Sequence, residues 1–288
     1  MQLHSLSLSS LSLPLNSFSS SVSSINPHSS SSSPPTFTPS RFIKFRTSHR
    51  ENLRYLKTLG IVTADDKPKN LPLPDDVERI LAAVDFLKSK GFSNADFPRL
   101  AFLSPNLFSP GFDPAGIAPV FDFLASDVAA LPEESCRLIL RCPALLFSNV
   151  EYCLRPTLDY LRKLGLERLN SPTTLNAHLL NTRVEKLQKK MKFLRSIGLS
   201  YDESARICAR IPAIFGYSVE DNLRPKYEYL VWEMERSLDE LKRFPQYFAF
   251  SLKKRIVPRH LHLKQRNVRI PLNRMLLWGD QKFYAKWK

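Results

Sequence analysis

The residues able to do chemistry in this chain are few and badly spaced for it. His4 and His28 sit in a serine-rich N-terminal segment, and His49, His178, His260 and His262 lack a cysteine or carboxylate at motif spacing. Cys136, Cys142, Cys153 and Cys208 form no Cys-x-x-Cys pair and have no histidine at ligand spacing, so no structural metal is expected. They fall among apolar residues of predicted helices and read as small buried side chains in a reducing compartment. The glycines never form a phosphate-cradling loop. Paired acids at Asp65-Asp66, Asp75-Asp76, Glu133-Glu134, Asp202-Glu203 and Asp239-Glu240 mostly precede apolar helical runs. There a carboxylate favours the positive end of the helix dipole, which is a structural role. No catalytic constellation results, and the chain is read as a non-enzyme with no cofactor and no metal.

What is spaced for a ligand is positive charge. Arg183, Lys186, Lys189, Lys190, Lys192 and Arg195 crowd one short predicted helix whose single acid is Glu185, with Val184, Leu187, Met191 and Leu194 on the opposing stripe. Like charges at i,i+4 repel by roughly a few tenths of a kcal/mol per pair, so folding gains nothing from the crowding. Phosphate groups would relieve it. A second cluster comprises Lys253, Lys254, Arg255, Arg259, Lys264, Arg266, Arg269 and Arg274. Both are read as candidate nucleic-acid-binding sets. Arg155 and Arg224 recur in register and are instead expected to pair with Glu151 and Glu220 inside their own repeats. Tyr247, Phe248 and Phe250 could stack on bases, but their place in the repeat favours core packing.

The elements that must position these cations announce themselves by repetition. Arg141 to Leu161 returns 69 residues later as Arg210 to Leu230: Arg-x-Pro-Ala, Val-Glu, Leu-Arg-Pro and Tyr-Leu all reappear in register. A shift of that size is about two units of 34 or 35 residues, the period of a solenoid whose units bury their apolar faces only against each other. Each unit ends a helix in Leu-x-x-x-Gly or a variant (Leu56 to Gly60, Leu87 to Gly91, Leu161 to Gly165, Leu194 to Gly198), with glycine as a left-handed C-cap. A proline-marked apolar turn follows, starting at Pro105, Pro143, Pro212 and Pro245; a second helix opens at Pro119, Pro156, Pro225 and Pro258. The unit carrying Val184-Glu185 has lost its turn proline. Five full or nearly full units are expected between about residues 86 and 260, a degenerate one before them (Leu53 to Gly60), and an irregular cap after them. Nothing reads as a sheet. The expected fold is an all-α helical-repeat solenoid.

Composition agrees with that organisation. The 288 residues carry a formal charge of +15, but from Glu51 to Leu241 the balance is −1, and Lys242 to Lys288 alone holds +12. Such a cluster attracts polyanions, nucleic acid first and an anionic membrane surface second. No apolar run approaches the roughly 20 residues that span a bilayer, so membrane insertion is not expected. Seventeen of the first 40 residues are serine and none is charged; the first base is Arg41. No base precedes the leucines of a secretory core, and no arginines line a mitochondrial amphipathic helix. The segment fits a plastid transit peptide, lost between residues 40 and 50. The expected organisation is therefore a disordered transit segment (1–45), a linker with a degenerate repeat (46–78), and the repeat domain with its cap (79–288).

These residues resemble the mitochondrial transcription termination factor (mTERF) family in its plant organellar branch. The carriers are the repeated Leu-x-x-x-Gly-Leu, the Pro-x-Leu/Ile-Phe turns, and the Leu-Arg-Pro helix starts at Leu154 and Leu223. Most specific is the string from Phe244 to Leu252 continuing to Arg255-Ile256-x-Pro258-Arg259; Asp280-x-x-Phe283 looks like the C-terminal helix signature. The resemblance covers most of residues 80 to 288. It implies a left-handed superhelix of three-helix repeats with short third helices, and a basic concave groove holding organellar DNA or RNA. It also implies an effect on transcription termination, transcription or intron splicing. This chain departs from the pattern in having fewer regular units, so a shorter footprint is expected, and in the missing turn proline around Asn176 to Leu187, where a different bend of the superhelix is expected. A pentatricopeptide array fits less well, because prolines recur within each unit and unit length varies from 33 to 38 residues.

The expected function is that of a monomeric plastid protein of the stroma or nucleoid that binds double-stranded DNA or a structured RNA of the organelle along a continuous cationic trough. It would regulate transcription, termination or transcript maturation, with nucleoid or transcription-machinery proteins as further partners. The alternative is a protein–protein scaffold of the nucleoid that touches nucleic acid only weakly, motivated by the near-neutral stretch from Glu51 to Leu241. Mitochondrial import is the alternative location.

Overall fold

Seven leucines set the frame of the chain. Leu56, Leu87, Leu124, Leu161, Leu194, Leu230 and Leu263 are all buried. Each carbonyl accepts the backbone N–H just past a left-handed residue: Ile61 (3.1 Å), Phe92 (3.2 Å), Ala130 (2.9 Å), Leu166 (3.1 Å), Leu199 (3.3 Å), Arg236 (3.0 Å) and Val268 (3.0 Å). The left-handed residues are Gly60, Gly91, Ala129, Gly165, Gly198, Glu235 and Asn267. This is the helix-ending motif expected at Leu-x-x-x-Gly, now seen also in three units without the glycine. In the Leu124 and Leu230 units one extra residue enters the turn.

The computed structural model describes residues 48–62 and 72–288. The serine-rich segment and Asp65-Asp66 lie outside the described residues. The helices are α1 (His49–Thr58), α2 (Pro74–Ser89), α3 (Phe97–Leu103), α4 (Ala118–Ser126), α5 (Pro132–Arg141), α6 (Arg155–Lys163), α7 (Thr174–Leu180), α8 (Val184–Ser196), α9 (Tyr201–Arg210), α10 (Arg224–Glu228), α11 (Leu238–Arg243), α12 (Val257–Lys264), α13 (Leu272–Leu277) and α14 (Asp280–Lys286). Short 3₁₀ turns occupy Pro105–Phe108, Pro143–Phe147, Pro212–Gly216 and Pro245–Ala249, where the proline-marked turns were expected. Among the described residues there is no strand, and the fold is an all-α repeat array. None of these helices is long and apolar enough to cross a membrane.

The second helix of most units starts with a π turn. Val150–Leu154, Val219–Leu223 and Leu252–Ile256 are π segments, each capped by the side chain of the preceding residue, Asn149, Ser218 or Ser251. A π turn is one residue inserted into an α-helix. The insertion is visible as spacing: the first buried apolar residue stands four after the start (Leu154, Leu223, Ile256). In α8 it stands three after, at Leu187, and α8 is uninterrupted over 13 residues. The unit that lost its turn proline thus also lost the 3₁₀ turn and the π insertion.

Units are tied by side chains donating to the backbone of a neighbour. One tie recurs directly after the helix proline. Thr157 Oγ1 donates to the Thr182 carbonyl (2.8 Å), Lys226 Nζ to that of Phe248 (2.7 Å), and Arg259 to that of Met275 (2.5 Å). All three donors are buried. A second set joins first helices: Arg99 Nε reaches the Leu140 carbonyl (3.0 Å), and Arg210 reaches those of Lys242 and Arg243 (3.3 Å each). These carbonyls are the last, otherwise unpaired acceptors of the next helix. Apolar packing is continuous with this, one core running from Leu56 to Phe283. The paired acids at Asp75-Asp76, Glu133-Glu134, Asp202-Glu203 and Asp239-Glu240 all lie in first helical turns.

The left-handed turns carry a direct consequence for stability. Glu235 has φ of 50° and Gly91 φ of 105°. A side chain at such φ costs about 1–2 kcal/mol. Glu235→Gly should therefore raise, and Gly91→Ala lower, the free energy of unfolding by about 1 kcal/mol in urea titration.

Candidate nucleic-acid interface

In α8 the apolar stripe points inward as its spacing demands, with Leu187, Met191, Phe193 and Leu194 buried. Arg183, Lys186, Lys189, Lys192 and Arg195 are exposed; Lys190 is half-buried. None of the six side chains has an ion-pair or hydrogen-bond partner among the described residues. Burial, and then the nearby charges of Lys186 and Lys189, hold the Lys190 ammonium below the usual lysine range. That helix therefore carries net charge with nothing to balance it. Arg183 also lines an open groove of about 740 Å³ with Tyr152, Cys153, Asp159, Lys163 and Glu185, where acids and bases are matched.

The C-terminal cluster divides in two. Lys253, Lys254, Lys264, Arg266, Arg269 and Arg274 are exposed. Arg259 is not: it is 1% exposed and is corrected from candidate phosphate contact to internal clamp. Its guanidinium donates to the Met275 (2.5 Å) and Trp278 (2.7 Å) carbonyls and pairs with Asp280, against the Phe283 ring at 4.5 Å. The reason is positional. Arg259 follows the helix proline, the place from which Thr157 and Lys226 donate forward. Arg255 is half-buried and also committed, with Nε on the Leu276 carbonyl (3.0 Å) and Nη2 on that of Trp278 (2.6 Å). Arg266 and Arg269 each give one N–H to a backbone carbonyl, of His262 (3.1 Å) and Glu235 (3.0 Å), and keep the rest free.

The two cationic sets do not merge into the continuous trough expected from sequence. Between them stands the unit of α10 and the π turn Tyr229–Glu233. That stretch, 219–235, carries Glu220, Asp221, Glu228, Glu233 and Glu235 against Arg224 and the buried Lys226. The three second helices are direct neighbours: Arg224 lies over the Phe193 ring of α8 (5.6 Å), and Tyr229 hydrogen-bonds His260 of α12 (2.8 Å). In the order of the units, one acidic unit thus separates the two cationic sets.

Other sequence expectations resolve plainly. Arg155 pairs with Glu151 (2.5 Å) and reaches Asp127 of the preceding unit (3.2 Å), and Arg224 pairs with Glu220 (2.7 Å). Tyr247 and Phe248 are fully buried and Phe250 stacks on Phe244, so all three belong to the packing. Cys136, Cys142 and Cys208 are buried; Cys153 is half-exposed. Sequence reasoning missed Arg243, whose side chain is exposed and unpartnered among the described residues. A clue existed: Arg141, Arg210 and Arg243 each stand two residues before a turn proline.

Fold and surface together define an all-α helical-repeat protein with separated, unbalanced cationic faces. The family model described as mTERF matches residues 133–284, just over half of the chain, and the chain belongs to the mTERF family. It is 39% identical over 98 residues to the chloroplastic transcription termination factor MTERF2 of Arabidopsis thaliana, covering 34% of this chain and 15% of that protein. With the chloroplastic MTERF8 of the same plant the match is 26% over 210 residues, 72% of this chain and 41% of the relative. With its mitochondrial MTEF18 it is 31% over 105 residues, covering 35% and 18%. The chain spans less than half the length of these relatives.

The reassignment of Arg259 is open to measurement. Truncating it strands the Met275 carbonyl, leaves that of Trp278 to Arg255 alone, and opens a cavity beside Phe283. Arg259→Ala should lower unfolding free energy by about 3 kcal/mol. Arg259→Lys should recover only part, because an ammonium lacks the planar fork that serves several acceptors. An alanine variant within about 0.5 kcal/mol of the parent would return Arg259 to the surface set.

Proposed function

We propose that this chain is an organellar nucleic-acid-binding protein that regulates gene expression and has no chemistry of its own. The observation that carries the reading is α8 with its N-cap residue: six cations against the single acid Glu185, in a member of a family whose relatives are named transcription termination factors. Uncompensated cations on a rigid helix are what phosphate binding requires, since each contact releases condensed counterions. The exposed part of the C-terminal set supplies a second patch. Such contacts fix the protein on a duplex without reading sequence. Double-stranded DNA or structured RNA of the plastid is the proposed partner, and transcription, its termination or transcript maturation the process affected. The plastid is favoured over the mitochondrion by the uncharged, serine-rich first 40 residues and by the chloroplastic names of MTERF2 and MTERF8. Catalysis is not proposed, because among the described residues no three His, Cys, Asp or Glu side chains converge on one point.

A second reading, a scaffold for other proteins of the nucleoid, draws on the acidic unit 219–235 and its Trp232, which is 69% exposed. Charge reversal separates the two. Lys186, Lys189 and Lys192 are exposed and tie nothing else down, so Lys186→Glu/Lys189→Glu/Lys192→Glu should leave the thermal unfolding curve unchanged. If about six to eight cations reach phosphates, log affinity for a duplex should fall against log salt with a slope of about −5 to −7. The triple variant should lose about three units of that slope and at least about 100-fold in affinity near 0.1 M salt. Unchanged recovery with organellar nucleoids would favour the scaffold. Parent affinity no better than about micromolar for every DNA and RNA at ~50 mM salt would remove the nucleic-acid reading.

A further inference from the structure

The grooves of this molecule differ in electrostatic balance. Along the 740 Å³ groove, Arg183 and Lys163 face Asp159 and Glu185. In a groove of about 540 Å³, Arg155 is locked between Asp127 and Glu151. A third groove, of about 760 Å³ between α11 and the start of α13, is different. Its one acid, Glu240, is already neutralised by the buried Arg236, which also donates to the Ile270 carbonyl (2.7 Å). That leaves Arg243, Arg269 and Arg274 on one open cavity without a carboxylate to meet them. Arg269 spends one N–H on the Glu235 carbonyl, whereas the Arg243 and Arg274 guanidiniums have no partner among the described residues.

The rest of the lining is suited to an oxyanion. Ser237 stands at the start of α11 without using its hydroxyl as a cap. Asn273 accepts from the Arg274 backbone through Oδ1 (2.8 Å), which leaves its amide N–H groups for a ligand. Phe244, stacked on Phe250, gives the cavity an apolar wall. Guanidinium forks match phosphate oxygens two at a time, which lysines do not. Three arginines line one cavity whose single acid is already paired, an excess of positive charge that a bound anion would balance.

We propose that this groove is a phosphate-binding site, with Arg243 and Arg274 as its clamp and Arg269, Ser237 and Asn273 as supporting donors. The proposal rests on the nucleic-acid reading only for the source of the phosphate, which is a polynucleotide backbone or a free phosphate. Arg243 and Arg274 lie 31 positions apart in sequence and belong to different helices, so the site exists only in the folded chain.

The test uses the full chain, its Arg243→Gln/Arg274→Gln variant and the corresponding double lysine variant, with circular dichroism melts to confirm that all fold alike. Two probes are titrated: a duplex DNA at several salt concentrations, and pyrophosphate followed by backbone NMR shifts. With a backbone source, the glutamine variant should bind the duplex about tenfold more weakly near 0.1 M salt, with a slope reduced by about two. The lysine variant should keep most of the slope but less of the affinity, because charge remains and the fork is lost. With a free-phosphate source, pyrophosphate should shift the amides of 237–244 and 269–274 saturably, and the glutamine variant should abolish this. Failure of both probes to distinguish parent from glutamine variant overturns the site. The Lys186/Lys189/Lys192 reversal reports separately on the proposed function: duplex binding lost there, with both duplex binding and the pyrophosphate response unchanged in the groove variant, would sink this inference alone.

Discussion

The structure depends on hydrogen bonds that leave one unit and end on a backbone carbonyl of the next. No unit of this size can bury a core alone, so each must be fixed against its neighbour. Apolar contact is non-directional and would tolerate sliding. A donor aimed at a particular carbonyl does not. Thr157 on Thr182, Lys226 on Phe248 and Arg259 on Met275 occupy one structural position and lengthen from hydroxyl to ammonium to guanidinium toward the C-terminus. At the last of them the tie becomes a clamp, since Arg259 and Arg255 together hold the carbonyls of Met275, Leu276 and Trp278. Beyond it, α13 packs on α12 and on the Pro245–Ala249 turn.

This constraint explains why only part of the cationic surface is available for a ligand. A positive side chain can stabilise the array or meet solvent, and its place in the repeat decides which. In α8 the position of Thr157, Lys226 and Arg259 is taken by Lys190, four residues before the frame leucine, and it is the half-buried member of the set. It has no carbonyl partner, unlike its counterparts. The absent proline and π turn go with that: α8 keeps helical regularity where its sisters open on a π turn. Its six cations gain nothing from the fold, which is the physical basis for giving them another role.

Much of this was legible in the sequence, and what was not has identifiable causes. Leu-x-x-x-Gly marked four of seven turns, because glycine advertises a left-handed residue. Ala129, Glu235 and Asn267 adopt the same φ without advertising it, and in two of these units the extra residue also breaks the spacing. The π insertions were present in the spacing of Val150 to Leu154 against Val184 to Leu187, but a one-residue difference is invisible until hydrogen bonds reveal the frame. The buried Arg259 was misread because a charged residue in a basic stretch looks the same whether it faces water or carbonyls. Its position after Pro258, matched to Thr157 after Pro156, was the only clue. The Arg243 groove as a whole was not legible, as its arginines meet only where α11 and α13 both pack on the Pro245–Ala249 turn.

The acidic unit between the two cationic patches has a consequence of its own. Neighbouring packed helices lie about 8–10 Å apart, so α8 and α12, two steps apart, are separated by roughly 20 Å. Charges screen over about 8 Å at physiological ionic strength, so across this gap the patches scarcely feel each other. Glu220, Asp221, Glu228, Glu233 and Glu235 stand in the gap, and only Glu220 has an exposed cation as its ion-pair partner. A polyanion lying straight along the units would meet repulsion midway. One that engages both patches must bring separate stretches of its backbone to each and leave the middle unit uncovered. On the proposed function, that charge pattern would act as a geometric filter on which polyanions engage both patches.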